Sequence, residues 1–288
     1  MSQNSSSKTE RRQANRAAAL ELKRKQEAAA KRARKITIIA ISAVLAVVAA
    51  IVIVCLALGG DSDTPAGPVE PVEINPDLPL SEVQRVPAGS TPDGGIIVTA
   101  DGVASQLAPG IPTVGMYFDY LCGACHQFEM INENTLRAVV ADGTANVVLY
   151  PVAFVDRDPA RQGSHRAAEA MAWVADQAPA QAFEFHVALM SAAMNQSVGA
   201  TAPERLADIA RSVGVPDAVA EGIANGNARN AFSQWVVSAT REWGANPALA
   251  GPGGGHGTPT ITINHERADF SWRDPAAMPQ ALAQAAGR

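Results

Sequence analysis

Apolar and polar positions divide this 288-residue chain into four stretches of different character. The first 35 residues are polar with interspersed alanines and present no apolar face. The next 23, ITIIAISAVLAVVAAIVIVCLAL from Ile36 to Leu58, are uncharged and almost wholly apolar. Residues 59–95 break the pattern with Pro, Gly, Asp and Glu, the composition of an extended linker. From Ile96 onward apolar positions recur with periods of two and 3.6 in turn, which predicts a folded domain over 96–288.

The order of elements in that domain is informative. IIVTA and TVGMYF are strand-like. Cys122 to about Ala141 then carries Phe128, Ile131, Leu136, Val139 and Val140 at helical spacing, and NVVLYPVAFV, from Asn146 to Val155, is strand-like again. Strand, helix, strand predicts a parallel unit with a right-handed crossover. Strand signals then cease until PTITINHE. Between these points Phe183, Val187, Met190 and Met194 share one helical face, and Phe232, Trp235, Val236, Ala239 and Trp243 another, so a helical insertion is expected over about 160–245. Thr201 and Glu204, in TAPE, have capping-box spacing for a helix start. In PTITINHE, Ile261 and Ile263 alternate with Thr260 and Thr262; ADFSW is a further strand-like run, and an Ala-rich helix from Asp274 closes the chain.

The formal net charge of −5 conceals an asymmetry. Residues 1–35 hold eleven Lys or Arg and three Glu, whereas the remainder holds twelve Arg, no Lys and twenty-five acidic residues. The divider at 36–58 would extend about 35 Å as a helix, enough to cross the roughly 30 Å hydrocarbon core of a bilayer with some tilt. The basic cluster KRKQEAAAKRARK just before it sets the orientation, with the N-terminus cytoplasmic and the C-terminal domain extracytoplasmic. A cleaved signal peptide fits less well, because its apolar core is usually about 7–15 residues. The basic tail at this position suits an anionic membrane surface, and no nucleic-acid partner is expected. The domain organisation is therefore a cytoplasmic tail (1–35), a transmembrane helix (36–58), a linker (59–95) and the folded domain (96–288).

Of three cysteines, Cys55 lies inside the apolar run, and the other two form Cys122-Gly123-Ala124-Cys125. A zinc site needs about four ligands and this chain offers one pair, so no metal is expected. A structural disulfide stabilises more as the loop it closes lengthens, and this pair would close almost none. A redox pair fits better. Cys122 falls where a strand ends and a helix begins, so free N–H groups and the helix dipole can stabilise a thiolate. Cys125, one turn on, is placed to attack a mixed disulfide formed by Cys122. The extracytoplasmic side is where disulfides persist.

FDYLCGACHQFE, followed after the helical insertion by GTPT (Gly257–Thr260), resembles the DsbA-like thiol–disulfide oxidoreductases over roughly 96–288. The resemblance implies an α/β thioredoxin-like fold with an inserted helical domain, here preceded by one transmembrane helix. It implies Cys122 as nucleophile, Cys125 as resolving cysteine, Pro259 as the cis-proline that shapes the groove, and Thr258 as a backbone hydrogen-bonding partner for an extended substrate. Gly123 and Ala124 would lie under that substrate. Glu129 matches the family's buried acid, which assists proton transfer near the second cysteine. His126 reads as a surface helix residue, and His165, His186, His256 and His265 have no assigned role. The glycine-rich GPGGGHGT lacks the Lys of a phosphate loop and reads as a flexible approach to Thr258-Pro259.

One departure matters. Strongly oxidising members carry a His between the cysteines, and its absence here could move the protein toward reduction or isomerisation. The leading expectation is an enzyme that forms disulfides in exported, cysteine-containing proteins, with no cofactor beyond the Cys122–Cys125 disulfide, recycled by a membrane redox partner of the quinone-linked kind. A reductase or isomerase of the same fold, and a non-catalytic binding or chaperone module, are the alternatives.

Overall fold

A six-stranded sheet carries the domain, built from β1 (Ile96–Thr99), β2 (Gly102–Val103), β3 (Thr113–Phe118), β4 (Asn146–Pro151), β5 (Thr260–Ile263) and β6 (Glu266–Arg267) in the spatial order β2-β1-β4-β3-β5-β6. The computed structural model describes residues 73–156, 162–194 and 201–287. The basic tail, the apolar run of 36–58 and the first part of the linker lie outside the described residues. Among the described residues no helix is long and apolar enough to cross a membrane.

The central pair is β3 with β4, parallel from Thr113↔Asn146 to Phe118↔Pro151. Antiparallel β1 flanks β4 and antiparallel β5 flanks β3. Both central strands are buried on both faces, which is why they read as near-continuous apolar runs. Alternation sorts their side chains: Val114, Met116, Phe118, Val147 and Leu149 join one core, while Tyr117, Val148, Tyr150 and Val152 join a second with Trp243 and Leu249. Gly115 fits this packing because a Cβ there would come 2.4 Å from the Thr262 hydroxyl.

Helix α1 (Gly123–Asp142) crosses from β3 to β4 and ends at Gly143, whose φ of 59° suits glycine in a left-handed C-cap. Phe128, Leu136, Val139 and Val140 form its buried face. Between β4 and β5 come α2 (Gly163–Gln177), α3 (Ala182–Met194), α4 (Pro203–Ser212), α5 (Asp217–Ala224) and α6 (Asn227–Ala245), and α7 (Ala277–Ala286) follows β6. The alanine-rich face of α2 packs on α6, whose Phe232, Trp235, Val236, Ala239 and Trp243 are all buried.

Three details differ from the sequence expectation. The folded domain starts before Ile96: Leu80 is buried, Asn75 and Gln234 exchange two hydrogen bonds of 2.8 Å, and Ser238 donates to the Leu78 carbonyl. Proline and glycine do make this segment irregular, but one apolar anchor and its backbone groups tie it to α6. The capping box at Thr201 does not form. Pro203 at the first helical turn makes Ala202 the N-cap, with no side-chain cap bond. ADFSW is not a strand: β6 ends at Arg267, one further bond runs from Ala268 N–H to the Ile261 carbonyl, and the apolar positions after it are anchors, Trp272 meeting Phe128 edge-on at 5.9 Å.

Candidate active site

The C-terminal end of β3 delivers the chain to its chemistry through a turn held by Asp119. This carboxylate is fully buried and accepts from Leu121 N–H (2.7 Å), the Ser164 hydroxyl (2.7 Å) and Val155 N–H (2.8 Å). It thereby joins the turn before the cysteines to the segment after β4 and to the start of the helical insertion. Burial raises its pKa to about 6, against the lowering effect of its three donors.

Cys122 is the N-cap of α1, with extended backbone (φ −82°, ψ 116°). The backbone N–H groups of Ala124 and Cys125, in the first turn of the helix, face its sulfur. Both cysteines are reduced, with no disulfide between them; Cys122 is half-buried and Cys125 is buried. The Cys122 thiol donates to the Thr258 carbonyl oxygen at 3.3 Å. The Thr258–Pro259 peptide is cis. The sequence therefore brings Cys122, Cys125, Thr258 and Pro259 together, although 133 positions separate Cys125 from Thr258 (258 − 125).

The two thiols are driven apart in acidity. A hydrogen bond from the Cys125 thiol is the largest influence on Cys122. The backbone N–H groups of Cys125 and Ala124 add to it, and together they outweigh burial and hold Cys122 down at about 5. Cys125 is pushed far up by burial, then by its own bond to Cys122 and the charge there. An accessible thiolate in front of a protonated, buried thiol is what nucleophilic attack followed by resolution requires. Gly123 and Ala124 leave the approach open: a Cβ at Gly123 would meet nothing within 4 Å.

Glu129, one turn beyond Cys125, is buried. His126 is not a surface residue: it too is buried, and its Nε2–H donates to the Tyr120 carbonyl at 2.7 Å, bracing the turn rather than meeting solvent. His186, from α3, belongs to this region and was not singled out by sequence. It is fully buried, its Nδ1 lies 3.1 Å from the Tyr120 hydroxyl and its Nε2 3.5 Å from Glu129 Oε2. Its one legible sign is a histidine inside the otherwise apolar face of AFEFHVALM. The remaining histidines lie apart from this cluster or serve the backbone: His165 meets Asp156, His256 donates to the Asn246 carbonyl, and His265 forms the β5–β6 turn with φ 68°. Among the described residues no group of three or more His, Cys, Asp or Glu is arranged to hold a metal ion.

No protein-family model and no curated protein matches the chain. Solved structures do. DsbA from Mycobacterium tuberculosis in its reduced form is 27% identical, with a TM-score of 0.52 over 67% of this chain and 93% of that one. The reduced form of the disulfide bond oxidoreductase DsbG from the same organism is 26% identical, with a TM-score of 0.52 over 69% and 90%. MdbA from Actinomyces oris, a thiol–disulfide oxidoreductase, is 22% identical and shares the fold with a TM-score of 0.59 over 72% and 96%.

Proposed function

We propose that this DsbA-like thiol–disulfide oxidoreductase is a membrane-anchored, extracytoplasmic enzyme that forms disulfides in exported proteins by passing on its Cys122–Cys125 bond. The observation that carries this direction is the placement of Cys122 as the N-cap of α1, where the Cys125 thiol and the first helical N–H groups favour its thiolate and hold its pKa down, to about 5. Whatever stabilises the thiolate stabilises the reduced enzyme and so makes its disulfide a stronger oxidant. The sequence lacks the His that strongly oxidising members carry between their cysteines. Here the Cys125 thiol and the backbone N–H groups of Ala124 and Cys125 supply the stabilisation, without a side chain from the Gly123-Ala124 dipeptide.

The steps follow from the residues. A substrate thiolate attacks Cys122 Sγ, the Cys122–Cys125 bond breaks, and its electron pair leaves on Cys125. The second substrate thiolate then attacks the substrate sulfur of the mixed disulfide and releases Cys122 as a thiolate. Once Cys122 is ionised, the Thr258 carbonyl no longer receives its proton and is free for the backbone of an extended substrate, with Pro259 shaping the groove beside it. The open surface at Gly123 and Ala124 admits that substrate. Glu129, buried beside Cys125, assists proton transfer there.

The anchoring rests on the sequence: a 23-residue uncharged run preceded by a basic cluster. This topology puts the cysteines where exported proteins fold, the basic tail at an anionic inner surface, and the enzyme beside a quinone-linked partner that reoxidises it. The test is a Cys125→Ser variant of the full chain expressed in cells. With resolution blocked, it should accumulate mixed disulfides at Cys122 with exported, cysteine-containing proteins, and Cys122→Ser should trap none. Partners trapped only from the cytoplasm would overturn the location, and no trapping at all would overturn the activity.

A further inference from the structure

Behind Cys125 the core holds three polar groups where the rest of the wall is apolar. A cavity of about 10 Å³ is lined by Cys125, Glu129 and His186 together with Met116, Phe118, Met190 and other apolar groups from β3, α1, α3 and the Pro259 loop. Glu129 Oε1 and His186 Nε2 are both buried and have no hydrogen-bond partner in the protein. The separation of His186 Nε2 from Glu129 Oε2, 3.5 Å, is longer than a direct hydrogen bond. A buried polar atom without a partner costs about 1–3 kcal/mol. Two of them on a cavity with room for roughly one water define a site that a water completes.

A fourth group, behind the cavity wall, fixes the direction of the cluster. The Tyr120 hydroxyl lies 3.1 Å from His186 Nδ1, both groups being fully buried. Burial and the neighbouring Glu129 charge raise the Tyr120 pKa, so its hydroxyl keeps its proton. Donating that hydrogen to Nδ1 leaves the ring proton on Nε2, facing the Glu129 carboxyl group. The titratable groups facing His186 are thus Tyr120 from the β3–α1 turn, Glu129 and Cys125 from α1. The Phe118 and Phe183 rings pack on its imidazole. The chain has no Lys beyond residue 35, so no ammonium serves Glu129 here.

We propose that His186, set by Tyr120 and joined to Glu129 through one water, is a positioning residue that lets this cluster give a proton to Cys125 and take it back. The proposal rests on the oxidoreductase reading. When a substrate thiolate attacks Cys122, the departing electron pair on Cys125 receives a proton carried on the Glu129 carboxyl group, which the His186 Nε2–H and the bridging water hold in place. Of the two protons that the substrate thiols lose in becoming a disulfide, one replaces it and the other enters solvent. In the reverse half, Cys125 returns its proton to the pair as it attacks the mixed disulfide at Cys122. The helical insertion therefore contributes to the chemistry through α3 as well as covering the site.

The test uses the full chain carrying glutathione on Cys122, and measures glutathione release as Cys125 attacks, between pH 5 and 9. In His186→Leu, release should slow about ten-fold or more near pH 6 to 7, the lower end of what a positioned acid–base group contributes. Its rate should then rise steadily with hydroxide in place of the parent's profile. His186→Gln, which keeps an N–H, should recover part of the rate. Tyr120→Phe, the gentlest change, should slow release about three-fold. A folded His186→Leu with the parent's rate and profile would overturn the proposal. So would an unaltered profile in Tyr120→Phe, should neither His186 variant fold. A parent protein that never releases glutathione contradicts the oxidoreductase reading itself, and the proposal with it.

Discussion

At the scale of single residues, the site works by setting two equal thiols into different states. With Cys122 held at about 5, alkylation of the reduced protein should be half-maximal in rate near pH 5, and Cys125→Ala should move that midpoint upward by removing its largest stabilising donor; iodoacetamide kinetics against pH would read both. Asp119 supplies a second pH dependence. Its pKa is raised to about 6 from an ordinary 3.8, so the native state binds its proton more tightly than the unfolded chain. Its contribution to stability is full below about 4 and is lost as pH rises through 6. Asp119→Asn removes that dependence and places an amide N–H against donors, so it should cost about 1–3 kcal/mol in urea melts, with the deficit shrinking from pH 4 to 7. The cysteine pair and its place at a strand-to-helix junction were legible in sequence because Cys-x-x-Cys there carries its own physical argument. Asp119 and His186 were not, because a buried carboxylate or imidazole is recognised by its partners, which here come from residues 155, 164 and 120.

The same contrast holds for elements. β3, α1, β4 and β5 could be read directly, since strands buried on both faces and a helix with one apolar stripe leave strong periodicities. Two-residue strands such as β2 leave no period to detect. The segment after β6 alternates like a strand, yet its Phe270 and Trp272 are isolated anchors, and Asn132 on α1 holds the Trp272 carbonyl at 3.0 Å. Within α1, Leu136 is fully buried and remote from the cysteines. Leu136→Ala should therefore cost about 2–5 kcal/mol in chemical denaturation while leaving the Cys122 alkylation midpoint unmoved.

Across the whole folded unit, the segment before β1 acts as a clasp on the helical insertion. Asn75 meets Gln234, the Leu78 carbonyl accepts from Ser238, the Asp77 carbonyl accepts from Arg241, and Arg85 pairs with Asp176 at 2.6 Å. Sequence composition presented this stretch as linker because its contacts are mostly backbone groups meeting side chains far along the chain. Leu80→Ala should lower the melting temperature by several degrees, about 2 kcal/mol or more for a buried leucine, without altering thiol exchange.

The proposed function depends at every scale on Cys122 and Cys125 forming a reversible, oxidising redox pair. The most direct measurement is the reduction potential of the full chain equilibrated in glutathione buffers, with thiols trapped and counted by mass spectrometry. A reversible two-electron transition is expected toward the oxidising end of this superfamily, near about −120 mV. A potential near about −270 mV, or no reversible Cys122–Cys125 bond, would contradict it.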